Sequence, residues 1–123
     1  MKASEFIGLL FLARDYAHGA HLSAKGNGSF AKHMALGAFY EGIIGLADGF
    51  AEAYQGRHGL IGAIPLQSGS KTTDPVEFLQ SQLDEIEKKR YLICKKEDSP
   101  LQNLIDGIIE LYLTTIYKLK FLG

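Results

Sequence analysis

The feature that most limits what this chain can become is its periodicity. In four stretches apolar residues recur every three or four positions, and most stretch ends carry residues that start or stop helices. Phe6, Leu9, Leu10, Ala13, Ala17 and Ala20 predict a first helix over about Ser4 to Ser23, with Ser4 as its cap. Lys25-Gly26-Asn27-Gly28 then breaks the chain, because glycine and asparagine tolerate the positive φ of a tight connection. A second helix follows from Ser29, again as cap, to about Tyr54. Residues 55–73 read as one long irregular stretch whose apolar segment, Leu60 to Ile64, packs back on the domain. Asp74, Pro75 and Glu77 have the spacing of a capping box with proline at the first helical position, and Phe78, Leu79, Leu83, Ile86 and Leu92 form a buried side. Ser99, Pro100 and Gln102 repeat the device before a broad apolar face running from Leu101 to Leu119.

A chain of 123 residues with 46% hydrophobic residues is long enough for one domain with a real core, but not for two. A short break between long helices makes them antiparallel neighbours. The expectation is an all-α, single-domain four-helix bundle over residues 1–123. Its long crossover lies between helices two and three, the topology of the ferritin-like class. Thirteen Lys and Arg against fourteen Asp and Glu argue against nonspecific nucleic-acid binding by the whole surface. A lone cysteine, Cys94, excludes an internal disulfide and is read as a small buried hydrophobe in a reducing compartment. The apolar run from Phe6 to Ala13 is too short for a membrane span and has the wrong flanks for a signal peptide, so a cytoplasmic protein is expected.

The chemistry concentrates between His21 and Glu52. Stepping along the second helix by threes and fours meets His33, Gly37, Glu41, Ile44, Asp48 and Glu52, which places an imidazole and three carboxylates on one stripe. His21 lies one short loop away. Imidazole with carboxylate is the ligand set of iron, zinc or manganese. The blander reading is a solvated acidic face with a stray histidine. Glu-x-x-His, the pair that builds an ordinary intrachain di-iron bundle, does not occur.

The order of residues in this stretch resembles the mini-ferritins of the Dps family, the DNA-binding proteins from starved cells. The shared pattern is a histidine ending the first helix (His21), a Lys-Gly turn (Lys25-Gly26), an aromatic (Phe30), a second histidine (His33) and an Asp-x-x-x-Glu pair (Asp48, Glu52). The stretches Gly62 to Leu66 and Thr114 to Lys120 also look like that family's, though with less specificity. The resemblance implies an intersubunit site with His21 and His33 from one chain and Asp48 and Glu52 from a two-fold-related chain. There iron(II), or another divalent metal, would bind. Iron would be oxidised, usually by peroxide, and stored inside a hollow homo-oligomer, a dodecamer in that family. The chain would then be a ferroxidase-type oxidoreductase.

Three departures weaken the match. The family's aspartate one turn after the second histidine is Gly37 here, leaving Glu41 as the carboxylate nearest to replace it. Its tryptophan after the first histidine is Leu22, and the lysine-rich tail used on DNA is missing. DNA binding is therefore the weaker expectation, and Lys88, Lys89, Arg90, Lys95, Lys96, Lys118 and Lys120 are read as solvated helix faces. The alternative is a ferritin-like structural or interaction module whose metal site is degenerate. His18 and His58 are read as surface histidines, Asp106 and Glu110 as an exposed pair, and Tyr112 and Tyr117 as core.

Overall fold

The computed structural model describes residues 1–69 and 72–123. They form four α-helices, α1 (Ala3–Ser23), α2 (Ser29–His58), α3 (Pro75–Ile93) and α4 (Ser99–Phe121), and no strand is found among the described residues. The helix ends show which local groups govern them. At α1 the cap is Lys2, not Ser4: the Lys2 backbone N–H donates to Glu5 Oε1 at 2.9 Å. The cap of α2 is Gly28 at φ 75°, one residue before Ser29. This helix runs to His58, past the last apolar position, because its final turn is polar and solvated and leaves no mark in the periodicity. Gly59, at φ 90°, ends it and donates back to the Gln55 carbonyl.

Asp74 caps α3 as expected, its Oδ1 accepting from the Val76 N–H at 3.0 Å. The reciprocal half of a capping box is filled differently: the Asp74 N–H donates to Thr72 Oγ1 rather than to Glu77. At α4 the cap is Asp98, one residue before Ser99. Its carboxylate accepts from the Leu101 N–H and also holds the Arg57 guanidinium at 2.9 Å, tying α2 to α4.

Around the bundle α1 neighbours α2, α2 neighbours α4, α4 neighbours α3 and α3 neighbours α1, so α1/α4 and α2/α3 are the diagonals. Each neighbouring pair is antiparallel. Phe6 meets Phe50 edge-on while His21 meets His33 at the other end of α1 and α2. Phe39 meets Tyr112 across α2 and α4, and Tyr16 stacks on Phe78 across α1 and α3. Phe6, Leu10, Leu36, Phe39, Ile43 and Phe50 fill the α1–α2 side of the core, and Leu79, Leu83, Ile86, Ile105 and Ile108 the other. Each such side chain contributes about 1.5–3 kcal/mol relative to staying exposed. Leu92, expected inside, is exposed, because Ile93 falls two turns after Ile86 and takes the inward place.

The connection between α2 and α3 lies against α1. Gln67 Nε2 donates to the Glu5 carbonyl at 2.9 Å, and Tyr16 donates its hydroxyl to the Thr72 carbonyl at 3.1 Å. Gly8 lets the chain in: a Cβ there would fall 2.5 Å from the Pro65 carbonyl oxygen. Ile61 and Ile64 pack on the core, whereas Leu60, read as part of the same apolar segment, points to solvent. Among the described residues no helix is long and apolar enough to cross a membrane.

One polar chain passes through the core. The Tyr112 hydroxyl donates to Gln82 Oε1 at 2.6 Å, and Gln82 Nε2 donates to the Leu9 carbonyl at 3.2 Å, linking α4, α3 and α1. Burial pushes the Tyr112 hydroxyl far above its ordinary range, so it stays a neutral donor. Tyr112→Phe removes that donor and leaves the Gln82 oxygen buried without a partner. The expected loss is about 1–3 kcal/mol of unfolding free energy, read by urea titration with the m-value unchanged.

Candidate metal centre

The α1–α2 turn creates the site. Gly26 at φ 91° and Gly28 at φ 75° reverse the chain within a few residues, and the Ser29 N–H closes the turn on the Gly26 carbonyl. The last turn of α1 is thereby laid beside the first turns of α2, bringing His21 and His33 together.

Their rings stack with centroids 3.6 Å apart and planes 20° from parallel. Each ring also bonds to the other's backbone: His21 Nδ1 lies 2.5 Å from the His33 carbonyl oxygen, and His33 Nδ1 lies 2.8 Å from the His21 carbonyl oxygen. A carbonyl can only accept, so both Nδ1 atoms carry the proton. In the neutral ring this leaves Nε2 with the lone pair, the tautomer a metal-ligating histidine needs. The His33 ring also satisfies one of the carbonyls that the end of α1 would otherwise leave unpaired.

Gly37 is a condition of this arrangement. A Cβ at that position would lie 3.0 Å from His21 Cε1 and 3.1 Å from Nδ1. The His21 imidazole thus rests on the bare backbone of α2, in the space a side chain at position 37 would use. Further along, His21 meets Tyr40 edge-on at 5.3 Å, and Tyr40 stacks on His18 at 4.2 Å and 17°. His18 is therefore half-buried in a ring stack rather than a solvated surface histidine. This stack was not legible from spacing alone. The available signal was the glycine one turn after His33, which costs about 1 kcal/mol in a helix interior and so calls for a packing reason.

The carboxylates lie elsewhere. Glu41, Asp48 and Glu52 are exposed on the outer face of α2. At 1.5 Å per residue, Asp48 is about 22 Å along the axis from His33, Glu52 about 28 Å and Glu41 about 12 Å. Among the described residues of the chain, no three His, Cys, Asp or Glu side chains come together to hold an ion. The chain thus pairs the two histidines and keeps the Asp48–Glu52 pair separate.

The remaining candidates have local roles. His58 ends α2 and packs near Tyr54, rather than sitting in a loop. Asp106 pairs with Arg90 of α3 at 2.7 Å, not with Glu110. Tyr112 is core, while Tyr117 is exposed. Cys94 is buried and accepts a hydrogen bond from Gln102. Burial, reinforced by the charge of Asp98, pushes its thiol up, away from thiolate chemistry.

A family model described as a family of unknown function, DUF5856, matches residues 21–119, beginning at His21 itself and including every residue of the candidate site. The chain belongs to that family. It is also similar to an uncharacterised 14.6 kDa protein from the mobD-ri intergenic region of Enterobacteria phage T4, with 31% identity over 120 residues, 97% of this chain and 88% of the phage protein. No solved structure matches the chain.

The Gly37 contact sets a testable contrast. A Cβ at Gly107, in α4, would meet nothing within 4 Å, so Gly107→Ala should gain roughly 0.5–1 kcal/mol from helix propensity. Gly37→Ala should show no such gain and should shift the His21 imidazole resonances, as measured by thermal unfolding and by histidine-selective NMR.

Proposed function

We propose that this protein is a ferritin-like, Dps-type mini-ferritin that binds iron(II) between subunits and oxidises it. The observation that carries the reading is the reciprocal bonding of His21 and His33. Two imidazoles held through Nδ1 by backbone carbonyls turn Nε2, the ligating nitrogen of the neutral ring, to iron(II). The Asp48 and Glu52 carboxylates of a two-fold-related copy would complete the set and favour iron(III) once formed. The chain path supports the same reading, since the α2–α3 connection contacts α1 at Glu5 and again at Tyr16, as a ferritin-like crossover would.

Iron is the substrate here. Two iron(II) ions give one electron each to hydrogen peroxide, which takes up two protons and leaves as two waters. The protein's part is to hold the ions on the two Nε2 atoms and to offer hard oxygen ligands to the product. Glu41 is the carboxylate of α2 nearest to the histidines after Gly37, and its role in this reading is to assist the Asp48–Glu52 pair.

A second reading is a ferritin-like interaction module without turnover. It is favoured by Gly37, because the His21 ring fills the space where the mini-ferritin aspartate would stand. Peroxide-driven iron(II) oxidation separates the two. Under the iron reading His33→Ala and Asp48→Ala/Glu52→Ala each lose at least about tenfold in rate. Mixing the two variants restores up to half, because a mixed pair contains one intact site. Equal rates for wild type and both variants would end the ferroxidase reading.

A further inference from the structure

The start of α2 and the end of α4 carry no acid. From Lys25 to Tyr40 and from Leu111 to Gly123 there is no Asp or Glu, and there are four lysines, Lys25, Lys32, Lys118 and Lys120. The acids that border this end, Asp74 and Glu77, belong to the start of α3 and share hollows with Lys32, Lys118 and Lys120. Four lysines against two carboxylates leave a surplus of two positive charges, on a chain whose net charge is -1. The same corner is apolar. Phe30 is 75% exposed and Phe121 70%, and Met34, Tyr117 and Leu122 are exposed as well. Phe30, Met34, Ala38, Lys118 and Leu122 line one groove of about 430 Å³ between α2 and α4. On α4, Tyr117 and Phe121 have ring centroids 6.0 Å apart, and the Lys120 ammonium lies 5.9 Å from the Phe121 ring. The end of α4 also touches the α1–α2 turn, since a Cβ at Gly28 would fall 3.1 Å from the Gly123 oxygen.

We propose that this corner docks on the surface of a bilayer of anionic lipids. Phe30, Phe121 and Leu122 enter the boundary between headgroups and acyl chains, about 5–10 Å deep. The lysines meet the lipid phosphates, their stems lying along apolar surface while the ammonium groups stay with the anions. Tyrosine suits the same boundary, because its ring is apolar and its hydroxyl wet. Other occupants answer only half of the patch. Duplex DNA takes the lysines but offers nothing to Phe30, Phe121 and Leu122. A second copy docked patch to patch covers the apolar side chains but sets four lysines against four more. The docking needs no metal. His33 stacks on His21 of α1, whereas Met34 and Ala38 face the groove toward α4, so the histidines and the patch look different ways.

Cosedimentation with vesicles of phosphatidylcholine alone, and with vesicles that also contain phosphatidylglycerol, tests the docking at physiological salt. The protein should bind the anionic vesicles at least about tenfold more tightly than the neutral ones, and high salt should weaken that binding. Lys118→Glu/Lys120→Glu should weaken it at least about twentyfold, since each lysine beside an anionic surface contributes about fivefold. Lys95→Glu/Lys96→Glu makes the same charge change at the opposite end of the bundle, beyond the Debye length of about 8 Å, and should cost less than about twofold. Phe30→Ser/Phe121→Ser leaves the charge alone and should weaken binding at least about tenfold, with the melting temperature unchanged because both rings are exposed. No binding, equal binding to both vesicle types, or equal losses from the two lysine pairs overturns the proposal. So does a duplex oligonucleotide that binds where vesicles do not, or a phenylalanine pair whose loss lowers the sedimenting mass without changing vesicle binding.

Discussion

The paired imidazoles at the α1–α2 turn are the constraint on which the architecture of this end of the molecule depends. Each ring donates to the other's main chain, so the bonds fix two helices, one turn and two tautomers together. Neither ring can rotate without releasing a carbonyl, and the stack at 3.6 Å leaves little room for one to move alone. The same contact requires a bare backbone at Gly37 and a tight reversal through Gly26 and Gly28. Three glycines, Gly26, Gly28 and Gly37, are thus explained by one geometry. A purely structural account would stop at the capped carbonyl. The chemistry follows from what the backbone bonds leave over, an Nε2 on each ring that accepts no contact from the main chain.

Much of the fold was legible in the sequence because helices announce themselves by period. Four helices, two short turns and one long connection were read from apolar spacing and from Asp74-Pro75 and Ser99-Pro100. The errors sit where side chains compete for the same backbone group. At α4 both Asp98 and Ser99 suit a cap, and Asp98 holds the place, its carboxylate bonded to Arg57 of α2 as well as to the Leu101 N–H. At α3 a neighbouring hydroxyl, Thr72, took the N–H that Glu77 was expected to satisfy. The end of α2 was missed because a solvated last turn carries no apolar signal. Leu92 belongs to the apolar run of α3, but the inward angle from Ile86 leads to Ile93 instead.

The site was legible in part. Spacing named His21 and His33 and the turn between them, and the structure joins them. It could not show that the His33 ring would cap the end of α1, nor that Gly37 would underlie the His21 ring, because both depend on the side-to-side setting of α1 on α2. Nor could one chain show what the Asp48–Glu52 pair faces, since it lies on the solvent side of α2 some four turns from His33 along the axis. The chain belongs to DUF5856, whose model covers residues 21–119, the site stretch together with the rest of the bundle, without attaching a chemistry to it.

The buried line from Tyr112 through Gln82 to Leu9 has a consequence for uniqueness rather than for strength. Apolar faces of leucine and isoleucine tolerate sliding, and a bundle held by them alone could settle with one hairpin shifted a helical turn, about 5.4 Å, against the other. Here such a slip would strand a phenol and an amide in hydrocarbon. The α3–α4 hairpin therefore has one permitted longitudinal setting against α1, and the mouth of the bundle beside the histidines inherits that alignment.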